Sequence, residues 1–197
     1  MTTAVLALQG AFAEHGAMLD ALGEPWFELR CGNDLKRSFD RLVLPGGEST
    51  TQGRLLRDEG MLEPLKARIE DGMPVLATCA GLILLAKRIV ESGASGPEDT
   101  HAPRFAQHFA TLDVTVERNA YGRQLASFHT HAEFAGLGEV PMSFIRAPRI
   151  VGAGDGVEPL ARVDGAIVAV RAGAQVACAF HPELDGDTRI HELFLGL

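Results

Sequence analysis

The stretch from Pro74 to Leu85, Pro-Val-Leu-Ala-Thr-Cys-Ala-Gly-Leu-Ile-Leu-Leu, constrains this chain more than any other. A proline opens a short apolar run, which reads as a buried strand. Cys79 follows between small neighbours, and an apolar, helix-favouring run continues to about Val90. Strand, cysteine, helix is the layout of a nucleophile elbow. In it a tight turn lifts the side chain out of a sheet and a helix N-terminus points at it. The partial positive charge of that terminus favours thiolate over thiol. Ala80 and Gly81 suit the turn, where a larger side chain would collide with the neighbouring strand. The same residues also fit a plain buried cysteine, a common fate of free thiols.

The segments before the elbow repeat its rhythm. Thr3 to Leu8 has strand length and leads into Gln9-Gly10; Ala13 to Leu22 is helical and stops at Gly23. Trp26 to Leu29 and Leu42 to Leu44 are short strands, the second broken by Pro45-Gly46-Gly47. Thr50 to Arg57 and Met61 to Glu70 read as helices. Strands alternating with helices predict an α/β fold, three-layered, with a mostly parallel central sheet and helices on both faces. Active residues of such sheets gather at the carboxyl ends of the strands. Gln9-Gly10, Gly46-Gly47 and Cys79 all fall at such ends and are expected to converge. After Leu112 strands dominate, several expected to be antiparallel: 113–117, 124–128, 142–145, 157–163, 166–170 and 176–180. Arg189 to Leu195 reads as a closing helix. The polar stretch 92–109 reads as a long exposed loop. With 197 residues and no visible linker or repeat, the expectation is one domain over residues 1–197.

Composition narrows the classes of function. The net charge of −8 argues against a nucleic-acid backbone as partner. The three cysteines do not suggest a disulfide framework, and free thiols fit a reducing compartment. Neither a signal peptide nor a membrane-length apolar run is visible, so the expected location is cytoplasmic, with no membrane partner.

Two further motifs carry chemistry. In Phe180-His181-Pro182-Glu183 an extended backbone sends residues two apart to one side, and the proline keeps the segment out of helix. His181 is placed to accept a proton from Cys79 while Glu183 orients the imidazole. Half of a metal site is the competing reading, but no convincing further ligands accompany it; His129 and His131 form a pair on another strand. In Pro45-Gly46-Gly47-Glu48-Ser49 two glycines after a strand allow amide N–H groups to face an anion. A tetrahedral intermediate carries an oxyanion, and the backbone N–H groups of Gly47 and Ala80 are the expected donors. A Walker-type phosphate loop would end in Gly-Lys-Ser/Thr, and no lysine is present. A plain turn is the remaining alternative.

Pro-Gly-Gly-Glu-Ser at 45–49, Thr-Cys-Ala-Gly at 78–81 and His-Pro-Glu at 181–183, in that order, resemble class I (triad-type) glutamine amidotransferases. Leu8 to His15, Leu42 to Thr51, Glu117 to Gln124, Phe144 to Pro148 and His181 to Leu184 narrow the likeness. They resemble the family of glutaminase subunits of pyridoxal 5′-phosphate synthases. The resemblance implies a flavodoxin-like fold and a triad of Cys79, His181 and Glu183. It implies glutamine binding by Gly47, Glu48, Ser49, Arg118, Ile145 and Arg146. It also implies that a separate synthase chain, a (β/α)₈ barrel in a large ring, takes up the ammonia, with neither metal nor organic cofactor in the glutaminase. The oxyanion site is expected to form fully only when that partner docks.

Other readings remain. A γ-glutamyl hydrolase or the glutaminase of a histidine-pathway synthase shares the architecture, although the Arg-Asn-Ala-Tyr-Gly-Arg-Gln block at 118–124 argues against both. A non-catalytic regulatory subunit is the more distant alternative. Ala77 stands where the family usually has glycine before Thr-Cys-Ala-Gly, and 130–141 follows the family loosely. His15 reads as a surface-helix histidine.

Overall fold

The computed structural model describes residues 1–91, 108–118 and 127–197. Along the first part run β1 (Thr3–Leu6), α1 (Phe12–Ala21), β2 (Trp26–Leu29), β3 (Arg41–Leu44), α2 (Ser49–Asp58) and α3 (Leu62–Glu70). Then come β4 (Val75–Thr78), α4 (Ala80–Leu85), β5 (Ala86–Glu91) and β6 (Leu112–Arg118). The remainder holds β7 (Ser127–Phe134), β8 (Gly138–Ile145), β9 (Arg149–Ala153), β10 (Glu158–Val163), β11 (Ala166–Ala172), β12 (Gln175–Cys178) and α5 (Arg189–Leu195).

Every residue of β1, β3 and β4 is buried. A strand without an exposed residue has both sheet faces covered, which is why these segments read as continuous apolar runs rather than alternating ones. β2, β1, β3, β4 and β12 lie side by side and parallel. β12 then pairs antiparallel with β11, and the sheet continues through β10 and β7 to β8. β9 bridges β11 to β6, and β6 pairs with β5. Antiparallel pairing thus takes up more of the sheet than the sequence suggests. The carboxyl ends of β1, β3, β4 and β12 are neighbours at one rim, because β12, though last in the chain, is inserted in register beside β4.

The helices have local reasons to start where they do. The Glu48 carboxylate accepts from the N–H groups of Thr50 and Thr51 at 3.0 and 2.7 Å, satisfying free donors at the start of α2. α4 is only six residues long and wholly buried. The expected helix to Val90 therefore ends early. The run Lys87-Arg88-Ile89-Val90 joins a β ladder with β6, where β-branched side chains suit the pleat and tertiary pairing outweighs helix propensity. Residues 130–141, without a clear pattern in sequence, carry most of the β7–β8 hairpin, turned at Ala135 to Leu137. Most of the expected strand 124–128 and of the expected loop 92–109 lies outside the described residues. Of that loop, His108 and Phe109 are described and both are buried. No helix among the described residues is long and apolar enough to cross a membrane.

Candidate active site

Cys79 stands between β4 and α4 with φ 48° and ψ −99°, a backbone conformation that residues with a side chain rarely adopt. Such strain is retained where surrounding structure over-determines it. Here the Cys79 N–H donates to the Cys178 carbonyl at 2.8 Å, pinning the turn to β12. At Gly81 an added Cβ would lie 2.1 Å from the Leu44 carbonyl oxygen, so no side chain fits between this turn and β3. The Cys79 Sγ lies 3.9 Å from the Ile145 carbonyl, and the thiol is near enough to the His181 ring to raise that ring's pKa.

His181 follows β12 by three residues. Its backbone N–H donates to the Ser143 carbonyl at 2.8 Å. The Ser143 N–H donates to Asp185 at 3.0 Å, so β8 holds the whole turn from both sides. The ring packs against Gly46, where a Cβ would come within 2.3 Å of the imidazole Cε1. Nδ1 lies 2.7 Å from Glu183 Oε1. Burial works against charge on His181. Hydrogen bonds and charge from Cys79 and Glu183 outweigh it and raise the pKa to about 10. Glu183 is itself buried, which disfavours its charge. The nearby His15 and the bonded His181 overcome this and hold its carboxyl below the usual range.

The three carboxyl-end turns do converge. The Gly46 N–H donates to Thr78 Oγ1 at 3.0 Å, and the Gly46 carbonyl accepts from Ala11 N–H at 3.1 Å. A trans peptide points its N–H opposite its carbonyl, so the Gly47 N–H faces away from the β1–α1 connection. Gln9 Oε1 accepts from Glu48 N–H at 2.7 Å, and Gln52 Nε2 donates to the Gln9 carbonyl at 2.8 Å. Arg118 Nη2 donates to Glu48 Oε1 and to Thr50 Oγ1, both at 3.1 Å. Burial opposes charge on Glu48, but the Thr50 and Thr51 donors lower its pKa to about 2. Gly47 and Glu48 are exposed, as are Ile145 and Arg146. Ser49 is buried and its hydroxyl has no hydrogen-bond partner among the described residues. Arg146 has a φ of 45°. Ala80, the first residue of α4, brings its N–H beside Cys79 at the helix start.

His15 is not on the surface. It is fully buried, with Nε2 3.1 Å from Thr78 Oγ1 and 3.4 Å from Glu183 Oε2, and Nδ1 2.9 Å from His191 Nε2. Its partners come from α5, β4 and the turn after β12, far away in sequence, so no periodicity along α1 reveals them. Ser143, Asp185 and Gln52 are equally silent in sequence. His129 and His131 lie on β7 as expected, with His129 3.4 Å from Asp185. Among the described residues no group of three or more His, Cys, Asp or Glu side chains is arranged to hold a metal ion. Cys178 is fully buried, which pushes its thiol pKa up, and Cys31 is half-buried beside Asp34.

This sheet, with a cysteine elbow facing a histidine and carboxylate, has the architecture of the class I glutamine amidotransferases. A solved structure described as a glutamine amidotransferase shares it at a TM-score of 0.88 and 42% identity, covering 98% of this chain and 97% of that one. A more distant one, a glutamine amidotransferase from Thermotoga maritima, shares the fold at a TM-score of 0.63 and 12% identity, covering 100% and 83%. The chain belongs to the SNO glutamine amidotransferase family, which it matches over residues 5–196. It is 54% identical to pyridoxal 5′-phosphate synthase subunit PdxT of Desulfitobacterium hafniense (strain Y51), over 99% of this chain and 92% of that protein. The protein of the same name from Bifidobacterium longum is 49% identical, over 99% and 100%.

Proposed function

We propose that this chain is the glutaminase subunit of a pyridoxal 5′-phosphate synthase, hydrolysing L-glutamine to L-glutamate and ammonia. The observation that carries the reading is His181, held by Glu183 and raised in pKa by the neighbouring Cys79, in a chain whose relatives of that name match it end to end. His181 takes the Cys79 proton and the sulfur attacks the side-chain amide carbon of glutamine. The oxyanion is held by the N–H groups of Gly47 and Ala80. His181 returns the proton to the departing nitrogen, ammonia leaves, and a γ-glutamyl thioester remains on Cys79. Water, deprotonated by His181, then releases glutamate.

Recognition of the amino-acid end falls to the exposed rim. Arg118 offers planar donors to the α-carboxylate and Glu48 a carboxylate to the α-ammonium. Gly47, Ser49, Ile145 and Arg146 complete this wall. The ammonia passes to a separate synthase chain, assembled in a ring, that builds it into pyridoxal 5′-phosphate. The Gly46–Gly47 peptide is set by the Gln9–Ala11 segment through the Ala11 N–H, which gives a docked partner a handle on the oxyanion site.

The test is glutamate release from glutamine by the purified chain, alone and with a synthase subunit. Faster turnover with the partner is expected, and equal rates would reject the gating. Cys79→Ala should abolish hydrolysis and keep partner binding. A Cys79→Ala chain that still releases glutamate would overturn the assignment.

A further inference from the structure

Behind the triad lies a second cluster of titratable groups that the reaction scheme leaves unused. Glu183 Oε1 is engaged by His181, whereas Oε2 is buried and makes no hydrogen bond among the described residues. What faces Oε2 is His15 Nε2, at 3.4 Å. A buried carboxylate oxygen with no donor is costly. Burial holds both His15 and His191 neutral, the latter with a pKa of about 3, so each ring carries one N–H.

The partners settle where those protons sit. An unprotonated His15 Nε2 would set a lone pair against a carboxylate, so Nε2 carries the hydrogen. His15 Nδ1 is then an acceptor and takes the His191 Nε2–H at 2.9 Å. His191 Nδ1 is left as a bare buried lone pair, without a partner among the described residues. The reverse pair of tautomers would strand an N–H there instead, the rarer and more expensive orphan. The same His15 Nε2 lies 3.1 Å from Thr78 Oγ1, which accepts from the Gly46 N–H. One side chain therefore touches both the triad carboxylate and the hydroxyl that fixes the glycine turn.

We propose that His15 is a positioning residue: its Nε2–H, hydrogen-bonded to Thr78, keeps the Gly46 turn in register with His181, its ring edge lies against the second oxygen of Glu183, and His191 fixes its tautomer. This rests on the glutaminase reading for its kinetic test and not for its chemical one. His15→Gln keeps an N–H donor near the Nε2 position; His15→Phe keeps the shape and removes the donor. In the complex with the synthase subunit, His15→Phe should lower kcat for glutamine hydrolysis about 10- to 100-fold, the cost of leaving buried polar partners unsatisfied. KM should stay within about twofold, since no substrate contact is lost. His15→Gln should recover most of the rate, and His191→Phe should give an intermediate loss.

The chemical readout is alkylation of Cys79 by iodoacetamide at pH 7, followed by peptide mass mapping to separate it from Cys31. It should slow in parallel with kcat, because a poorly held Glu183 supports the His181 charge less well. Equal rates for the Gln and Phe variants, or a rise in KM at constant kcat, would overturn the proposal. If His15→Phe does not fold, His191→Phe decides: unchanged kcat and alkylation would overturn it. If wild type hydrolyses no glutamine, the functional reading falls, and the alkylation ratios still decide the role of His15.

Discussion

The two sides of Cys79 are built from different physics. Behind it, Glu183, His15, His191 and Thr78 are all buried; His15 is bonded to His191 and Thr78 and lies 3.4 Å from Glu183. In front, Glu48, Ile145 and Arg146 are exposed, and Glu48 meets Arg118 across an open rim. In the dry half a hydrogen bond has no competing water, so each partner is fixed and each loss is felt in full. In the wet half charges exchange partners readily, which is what a site that must accept and release a zwitterion requires. Rate should therefore be governed from behind the sulfur and affinity from in front of it.

The largest effect should come from Glu183→Gln. It keeps the shape but allows His181 the wrong tautomer and removes the charge that stabilises the imidazolium. A fall in kcat on the order of 10³–10⁴-fold is expected, by the logic of Ser-His-Asp triads, with KM little changed. A mere tenfold fall in steady-state kinetics would remove Glu183 from the triad. Gly46→Ala sharpens the comparison from the other face of the imidazole. Its new Cβ would sit 2.3 Å from His181 Cε1, so the ring must move. A displacement of about 1 Å can cost about 10²-fold in rate. An unchanged kcat would mean that His181 has slack.

Arg118→Ala should act in the opposite column. It removes donors from the exposed rim, so KM for glutamine should rise about 10-fold, the effect of a charge-assisted hydrogen bond, with kcat changed far less. A kcat effect larger than the KM effect would break the division between the two sides.

The triad and the glycine turn were far more legible in sequence than the cluster behind Glu183. Pro45 to Ser49, Cys79 and His181 to Glu183 are contiguous motifs, and each lies where a strand ends. Their chemistry depends on residues within a few positions of one another, which a sequence displays directly. His15 to His191 spans 176 positions and His15 to Thr78 spans 63. The spacing of α1 does set His15 on the buried face of Met18 and Leu19, but it does not show the distant partners that a buried polar group requires. The fold divides the same way. Parallel strands at the start are apolar runs bounded by turns, but β7 and the first half of β8, half-exposed and rich in His, Glu and Thr, give no clean alternation.

The smallest effect is a slope in stability with pH, and it isolates the dry half. Burial lowers the pKa of His15, takes His191 to about 3 and, with help from Arg57, takes His108 to about 4. Between the ordinary value of 6.5 and those folded values the unfolded chain binds more protons, so stability falls as the pH falls. His181 runs the other way, since its folded pKa is raised to about 10. Its contribution is complete below about 6.5 and is lost as the pH rises toward 10. Glu48, lowered from 4.5 to about 2, acts only below about 4.5. The window from about 4.5 to 6.5 therefore separates buried imidazoles from these other groups. Urea midpoints followed through Trp26 fluorescence should decrease across it. His191→Phe should flatten the slope by about 1.4 kcal/mol per pH unit in the lower part of the window, one proton's worth of linkage. A slope identical to wild type would mean that His191 already carries a proton in the folded chain, and the dry half would then be charged rather than neutral.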